Sequence, residues 1–450
     1  MIKIGIISLG CPRNLVDSEV MLGSLKKEGY AISDEVGDGV DIFIVNTCSF
    51  LKSAREESVE TILQAAGLKK AGKIKYLVVA GCLSQAYGGK LLKDLPEVDA
   101  LVGTGDFSKI GAIVKALLKN KPVLEKFPIP AWTRSSPTFL YDDKSPRLCL
   151  TPPHYAYIKI SEGCDNLCSY CIISRLRGRF RSRSINSVIK EVKNISRAGR
   201  LRELDLIGQD TTLFGKDLYG KSVFPELLKG LAGLETSVKW IRILYTHPAH
   251  YTDEFIAVMR GEPKLCKYLD LPIQHISDKI LKKMNRHTTK KELIALIEKL
   301  RRNIPGVALR TSVIVGFPGE TEDDFKELLG FLGRTRFERL GAFVYSREEG
   351  SKASKFKGQL SDSVKNARFD EVMKCQQRIS ADTNSSFLGR SLKVLVDEKL
   401  EEGKYFGRTE FDSPEVDGGV YVTGKDLKVG EFYTVKITDT LEYDLVGKAG

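Results

Sequence analysis

The sequence has no apolar run of membrane-spanning length; its longest, such as YLVVAGCL at 76–83, are the length of a strand. Its opening MIKIGIISLG lacks a signal peptide's longer apolar stretch and small-residue cleavage site. It is expected to be a first β-strand, in a chain that works in the cytoplasm without a membrane partner. There is no solenoid repeat and no low-complexity tract. The cysteines lack the even count of a disulfide framework. The nine, Cys11, Cys48, Cys82, Cys149, Cys164, Cys168, Cys171, Cys266 and Cys375, point instead to metal or redox chemistry. The histidines, His154, His247, His250, His275 and His287, show no metal-ligand spacing and are expected to be structural or exposed.

What is present is a soluble-protein composition, 42% apolar and 28% charged, over 450 residues, enough for two to four domains. The net charge of +12 suggests an anionic partner or a basic surface. It is unevenly spread: residues 383–450 carry 9 Lys and Arg against 13 Asp and Glu, an acidic tail on a basic protein.

Seven of the sixteen prolines fall between 122 and 153, a stretch with little helical periodicity that reads as a linker. Before it, in residues 1–121, the apolar runs KIGIISLG, DIFIVNT and KYLVVAG alternate with helical patterns near 17–29, 53–67 and 84–94. That alternation predicts an α/β domain, a doubly wound parallel sheet covered on both faces. Each run ends on a cysteine: Cys11, Cys48 and Cys82. Strand carboxyl ends converge on one edge of such a sheet, so the three are expected to meet at one rim.

Six further strands follow in 154–382: YAYIKIS, ELDLIGQD, WIRILYTH, YLDLPIQH, ALRTSVIVGF and RLGAFVYS, separated by helical patterns. They predict a partial or complete (β/α) barrel with its chemistry at the strand carboxyl ends. In 383–450 five short strands predict a small antiparallel barrel of oligonucleotide-binding type.

The run ISEGCDNLCSYCIIS at 160–174 follows the first barrel strand and holds Cys164, Cys168 and Cys171 in a C-x₃-C-x₂-C spacing. A structural zinc site wants four ligands, and no Cys or His follows nearby to supply the fourth. Three thiolates in one short loop suit a cubane iron–sulfur cluster whose fourth iron is left for a small molecule.

With Tyr170 before the last cysteine and a strand before the first, this motif resembles the radical S-adenosylmethionine (SAM) enzymes. Taken together, SLGCPRNLVDSE, VNTCSF, GCL, SEGCDNLCSYC and VIVGFPGETEDDF resemble their methylthiotransferase branch over nearly the whole chain, including a C-terminal TRAM-type barrel. The resemblance implies two 4Fe-4S clusters, one on Cys164, Cys168 and Cys171 and one on Cys11, Cys48 and Cys82, with SAM as cosubstrate for both radical and methyl group. It implies no catalytic residue beyond the cluster ligands. Tyr170, Gln209, Arg310 and Gly316 are expected to contact SAM, with Gly316 letting backbone approach a nucleoside.

Cys11-Pro12-Arg13-Asn14 followed by LVDSE is similar to the subgroup acting on an aspartate of small-subunit ribosomal protein twelve, where sulfur and methyl are added at the β-carbon. The acidic tail agrees, since it suits a basic ribosomal protein better than phosphates. An electron donor such as flavodoxin or ferredoxin and a sulfur source are further implied partners. tRNA-adenosine methylthiolation is the alternative, and an iron–sulfur electron carrier or RNA-binding scaffold without chemistry is a reading of another class. Two local expectations complete the reading. Ser174, where the family often has proline, caps the turn after the loop. Arg175, Arg177, Arg179, Arg181 and Arg183 share one face of an extended segment, to neutralise cluster, SAM or substrate.

Overall fold

A computed structural model describes residues 1–33, 39–49, 51–121, 123 and 137–450. The amino-terminal sheet is parallel, in the order β2 (Ala31–Ser33), β1 (Lys3–Ser8), β3 (Ile42–Thr47), β4 (Tyr76–Gly81), β5 (Ala100–Val102). Its strands alternate their apolar side chains between two covered faces. Ile42 and Ile44 pack beneath α1 (Pro12–Lys27) and α4 (Ile110–Leu118), whereas Phe43 and Val45 pack beneath α2 (Lys52–Lys70) and α3 (Cys82–Asp94). β2 and β5, three residues each, were not among the expected strands.

The central sheet runs β6 (Tyr155–Lys159), β9 (Glu203–Ile207), β10 (Trp240–Ile243), β11 (Leu265–Asp270), β12 (Ala308–Val315), β13 (Arg339–Val344), all parallel and in chain order. β6 and β13 do not pair, so this is a partial barrel. A two-residue ladder, β7 (Ser161–Glu162) with β8 (Arg181–Ser182), brackets the three-cysteine loop. Helices cover the outer face. The inner face, with Tyr157, Ile207 and Tyr268, is filled by Val16 and Val20 of α1 and by Leu395 and Phe432 of the carboxyl-terminal barrel. The flanking units therefore seal what the missing strands leave open.

That last barrel closes in the order β14 (Ser391–Glu401), β15 (Lys404–Arg408), β16 (Val420–Thr423), β18 (Leu445–Ala449), β17 (Phe432–Thr440). The expectation of a wholly antiparallel barrel is corrected: β16 and β18 run parallel. A closed ring with an odd number of strands must contain a parallel neighbour pair. Asp412, Asp417 and Glu431 of the acidic tail pair with Arg339, Arg310 and Arg202 of the central unit. Buried Glu203 accepts from Arg242 at 2.8 Å and lies 2.8 Å from Arg408, which completes the joint. Part of the tail's acid is committed to holding the barrel in place.

Of the proline-rich stretch, 122 and 124–136 lie outside the described residues. Residues 137–153 form a strap without helix or strand. Its Arg147 is buried between Glu19 of the first unit, at 2.6 Å, and Glu191 of the second, at 2.7 Å. Among the described residues no helix is long and apolar enough to cross a membrane.

Candidate active site

β1, β3 and β4 deliver Cys11, Cys48 and Cys82 to one edge of the amino-terminal sheet. Cys11 is the N-cap of α1 and Cys82 opens α3. Asn14 ties the strand ends together, its amide donating to Leu9 O at 3.0 Å and Thr47 O at 2.7 Å. Gly10 has φ +85°, and a Cβ there would lie 2.5 Å from Cys48 Cβ and 2.8 Å from its Sγ. Glycine at that position lets the chain carrying Cys11 pass directly over Cys48.

The second cysteine loop leaves β7 through Gly163, whose φ is +80° and which packs against the backbone of Gly178 and Arg179. Ser169 N donates to Met284 O, and Asn285 Nδ2 donates to Asn166 O and Leu167 O, which holds the loop's crown. Arg286 Nη1 lies 3.6 Å from Cys168 Sγ. Directly after Cys171 the chain turns into α5 (Ile173–Arg177), and Ile172 and Leu176 pack against Cys82 and Ala86. Cys82 of the first set thus shares an apolar wall with the residues that follow Cys171 of the second.

Buried charge crosses the same boundary. The Arg177 guanidinium donates to Asn14 Oδ1, Asp17, Glu162 and Cys82 Sγ, and Lys159 joins Asp17 and Glu162. Two cations share two carboxylates in a site nearly closed to water, with little left unpaired. Lys159 and Arg177 hold the Glu162 carboxyl well below its ordinary range against the opposing effect of burial. Burial also opposes ionisation of Cys11, but Arg13 and Arg177 outweigh it and its thiol is shifted down. Burial wins at Cys82, which is raised, and at Cys164 and Cys171, each pushed up to about 12.

The expected row of five arginines does not form. Residues 173–177 are helical, so Arg175 and Arg177, two apart, point to opposite sides. Arg177 contacts a cysteine, Cys82. Arg179 is exposed on Asp165, Arg181 binds backbone carbonyls, and Arg183 pairs with Glu191. Ser174 lies inside α5 and makes no capping bond.

Tyr170 packs against the cluster around Phe317 and Tyr345, and its hydroxyl accepts from Arg286 at 3.5 Å. Gln209 donates to Glu162, leaving its Oε1 buried without a partner. Arg310 has both edges of its fork on carboxylates, Asp270 at 3.1 Å and Asp417 at 3.3 Å. At Gly316 the volume a Cβ would fill is taken by the Lys365 stem, 2.3 Å away, so the close approach there is to a lysine side chain.

His247 and His250, expected to be structural or exposed and without metal-ligand spacing, converge with Asp210 so that one ligand atom from each lies within 4.8 Å of the others. Asp210 accepts from Asn166 of the cysteine loop at 2.7 Å, lies 2.8 Å from His250 Nδ1, and accepts from Thr212. His247 Nδ1 accepts from Ala249 N, and its Nε2 is buried without a partner. The signal in the sequence was the pair in THPAH just after the third barrel strand, whose partner Asp210 lies just after the second.

Three guanidinium groups against two sets of thiols suit a cluster that carries negative charge. The orphaned Arg286 Nε, His247 Nε2 and Gln209 Oε1 leave unmet polar valences around it, as a polar cosubstrate would require.

Residues 158–332 match the family model described as the radical SAM superfamily, 3–103 that described as uncharacterized protein family UPF0004, and 388–449 the TRAM domain. The chain is 46% identical over 448 residues to the ribosomal protein uS12 methylthiotransferase RimO of Clostridioides difficile (strain 630), covering 99% of this chain and 98% of that one. It is 46% identical over 449 residues to the protein of that name from Thermoanaerobacter sp. (strain X514), covering 100% of each. The radical SAM methyltransferase TsrM from Kitasatospora setae shares the fold, with a TM-score of 0.55 at 14% identity over 76% of this chain and 74% of its own.

Proposed function

Because the chain belongs to the RimO family of ribosomal protein uS12 methylthiotransferases, we infer that it is a transferase that methylthiolates uS12 by radical SAM chemistry. The observation that carries the finer reading is the packing of Ile172 and Leu176, which follow Cys171, against Cys82 of the first cysteine set.

In this reading Cys164, Cys168 and Cys171 hold a 4Fe-4S cluster open to SAM, and Cys11, Cys48 and Cys82 hold a second. When bound, these groups supply the radical that removes hydrogen from the β-carbon of the target aspartate and the sulfur that replaces it. The protein's own residues prepare the space. Arg177 compensates thiolate charge at Cys82, Arg286 does so at Cys168, and Ile172, Leu176 and Ala86 keep water from the passage between. Tyr170, Gln209 and Gly316 line the SAM side. Arg310 lies on that side with its fork on Asp270 and Asp417. The units are 1–121, the linker 122–153, the radical SAM core 154–382 and the TRAM barrel 383–450, working in the cytoplasm with a flavodoxin or ferredoxin as electron donor and a separate sulfur source.

The test is an anaerobic competition assay with SAM, reductant and sulfide, uS12 and tRNA together, read by mass spectrometry. A methylthio group on a uS12 aspartate is the expected result. One on tRNA adenosine overturns the substrate. Reconstituted protein is expected to hold about eight irons per chain, and the Cys11, Cys48 and Cys82 to alanine triple variant about four.

A further inference from the structure

Arg13, two residues past Cys11, sits where the two strand-end rims meet. Its Nη1 donates to Gly208 O, at the end of β9, at 2.8 Å. Its guanidinium carbon lies 4.2 Å from the centre of the Tyr245 ring, which follows β10. A side chain of the first unit is thus clamped by two strand ends of the second, in a fixed plane.

The cation has a deficit. In this interior Arg147, Arg177, Arg242, Arg310 and Arg408 each pair with at least one carboxylate, whereas Arg286 is held by Cys168, Tyr170 and Pro272 O. Arg13 pairs with none among the described residues. The groups acting on it are the Cys11 thiol, the Tyr245 phenol and the repelling Arg177. It is half-buried, so part of its surface remains accessible. A guanidinium held in place beside the Cys11 thiol, with donors left over and no carboxylate partner among the described residues, has the chemistry to receive a carboxylate.

We propose that Arg13 is the substrate-contact residue that receives the side-chain carboxylate of the target aspartate. The proposal rests on the reading above, in which the reacting atom is the aspartate β-carbon. That carbon is bonded to the carboxylate carbon, so a bidentate fork on the two oxygens fixes it one bond away. It would be presented between Cys11 on one side and the Cys171 loop on the other. An ammonium would fix the distance but not the plane, which is why the fork matters. Tyr245 stacking and the Gly208 bond hold the fork's orientation before substrate arrives, so little ordering remains at binding.

The experiment is a double-substitution cycle on binding, without turnover. Full-length oxidised, reconstituted enzyme is titrated with labelled uS12 and with uS12 carrying asparagine in place of the target aspartate, read by fluorescence anisotropy. Wild type is expected to prefer the aspartate form by about tenfold or more, the scale of a charged, bidentate pair. Arg13→Gln is expected to bind both forms equally, and Arg13→Lys to keep only part of the preference. A role confined to folding or cluster support weakens both forms alike and leaves the ratio at its wild-type value, which overturns the proposal. Wild type with no preference overturns it as well. Failure of the functional reading is distinguished separately, by wild-type enzyme that leaves uS12 unmodified in the competition assay. The Arg13→Lys ratio provides the decision where Arg13→Gln does not fold.

Discussion

Arg177 Nη2 lies 3.6 Å from Cys82 Sγ, although 95 residues separate them in the chain. The arginine ends the helix that leaves one cysteine set and touches a member of the other. Asp17 and Glu162, its carboxylate partners, come one from each unit. One buried cation thereby joins the sheets at the point where the chemistry is placed.

Replacing that cation leaves Lys159 alone against two buried carboxylates. Arg177→Met is expected to destabilise the apoprotein by about 3–5 kcal/mol in urea unfolding, the cost of breaking rather than replacing a buried pair. Arg177→Lys keeps the charge but loses the fork, and an intermediate value is expected. A loss below about 1 kcal/mol for the methionine variant would contradict the network described here.

Cys11 should separate by reactivity from Cys164 and Cys171 in the apoprotein. Cys11 is shifted below an ordinary thiol by Arg13 and Arg177 despite burial, whereas burial raises Cys164 and Cys171 to about 12. Thiolate is the nucleophile, so iodoacetamide is expected to label Cys11 first at pH 7–8, by peptide mapping. Arg13→Gln should slow that labelling. Equal rates at all three cysteines would refute the electrostatic assignment.

His275 is fully buried, its Nδ1 accepting from Ser277 N at 3.0 Å, and burial lowers it from 6.5 to about 4. Glu320 and Asp324 lie near it, as do the cations Arg368 and Lys279. The unfolded chain takes up the proton first, so stability falls as pH drops from about 6.5 to 4 and this contribution levels off below. About 3 kcal/mol is involved. His275→Gln should flatten that part of the curve relative to wild type. Identical slopes would show that other groups carry it.

At Gly10 backbone conformation and crowding act together. Gly10→Ala must place a methyl group 2.5 Å from Cys48 Cβ at a φ of +85°. Roughly half the iron of the reconstituted protein is expected to be lost, with far-UV circular dichroism unchanged. Full iron retention would mean that Cys48 is not part of a cluster site.

The sequence by itself determined the elements and the two cysteine sets. Alternating and continuous apolar runs specify strands over short distances, and each of the three amino-terminal strands hands its cysteine to the carboxyl edge whatever the rest of the chain does. The C-x₃-C-x₂-C loop is equally local, as is the capping box that Thr321 and Asp324 form at the start of the helix Glu322–Thr335. β2 and β5 escaped because three residues carry too little periodicity to mark a strand. Tertiary structure alone decided the rest. Arg13 to Gly208, Arg177 to Asn14 and Asp417 to Arg310 are separated by 195, 163 and 107 residues. No pattern in a local window reports such contacts. Whether an arginine faces solvent, a carboxylate or a thiol depends on which sheet edge is packed against it. The acidic tail makes the same point: its composition was visible, but its docking against Arg310 and Arg339 came only with the packed barrel.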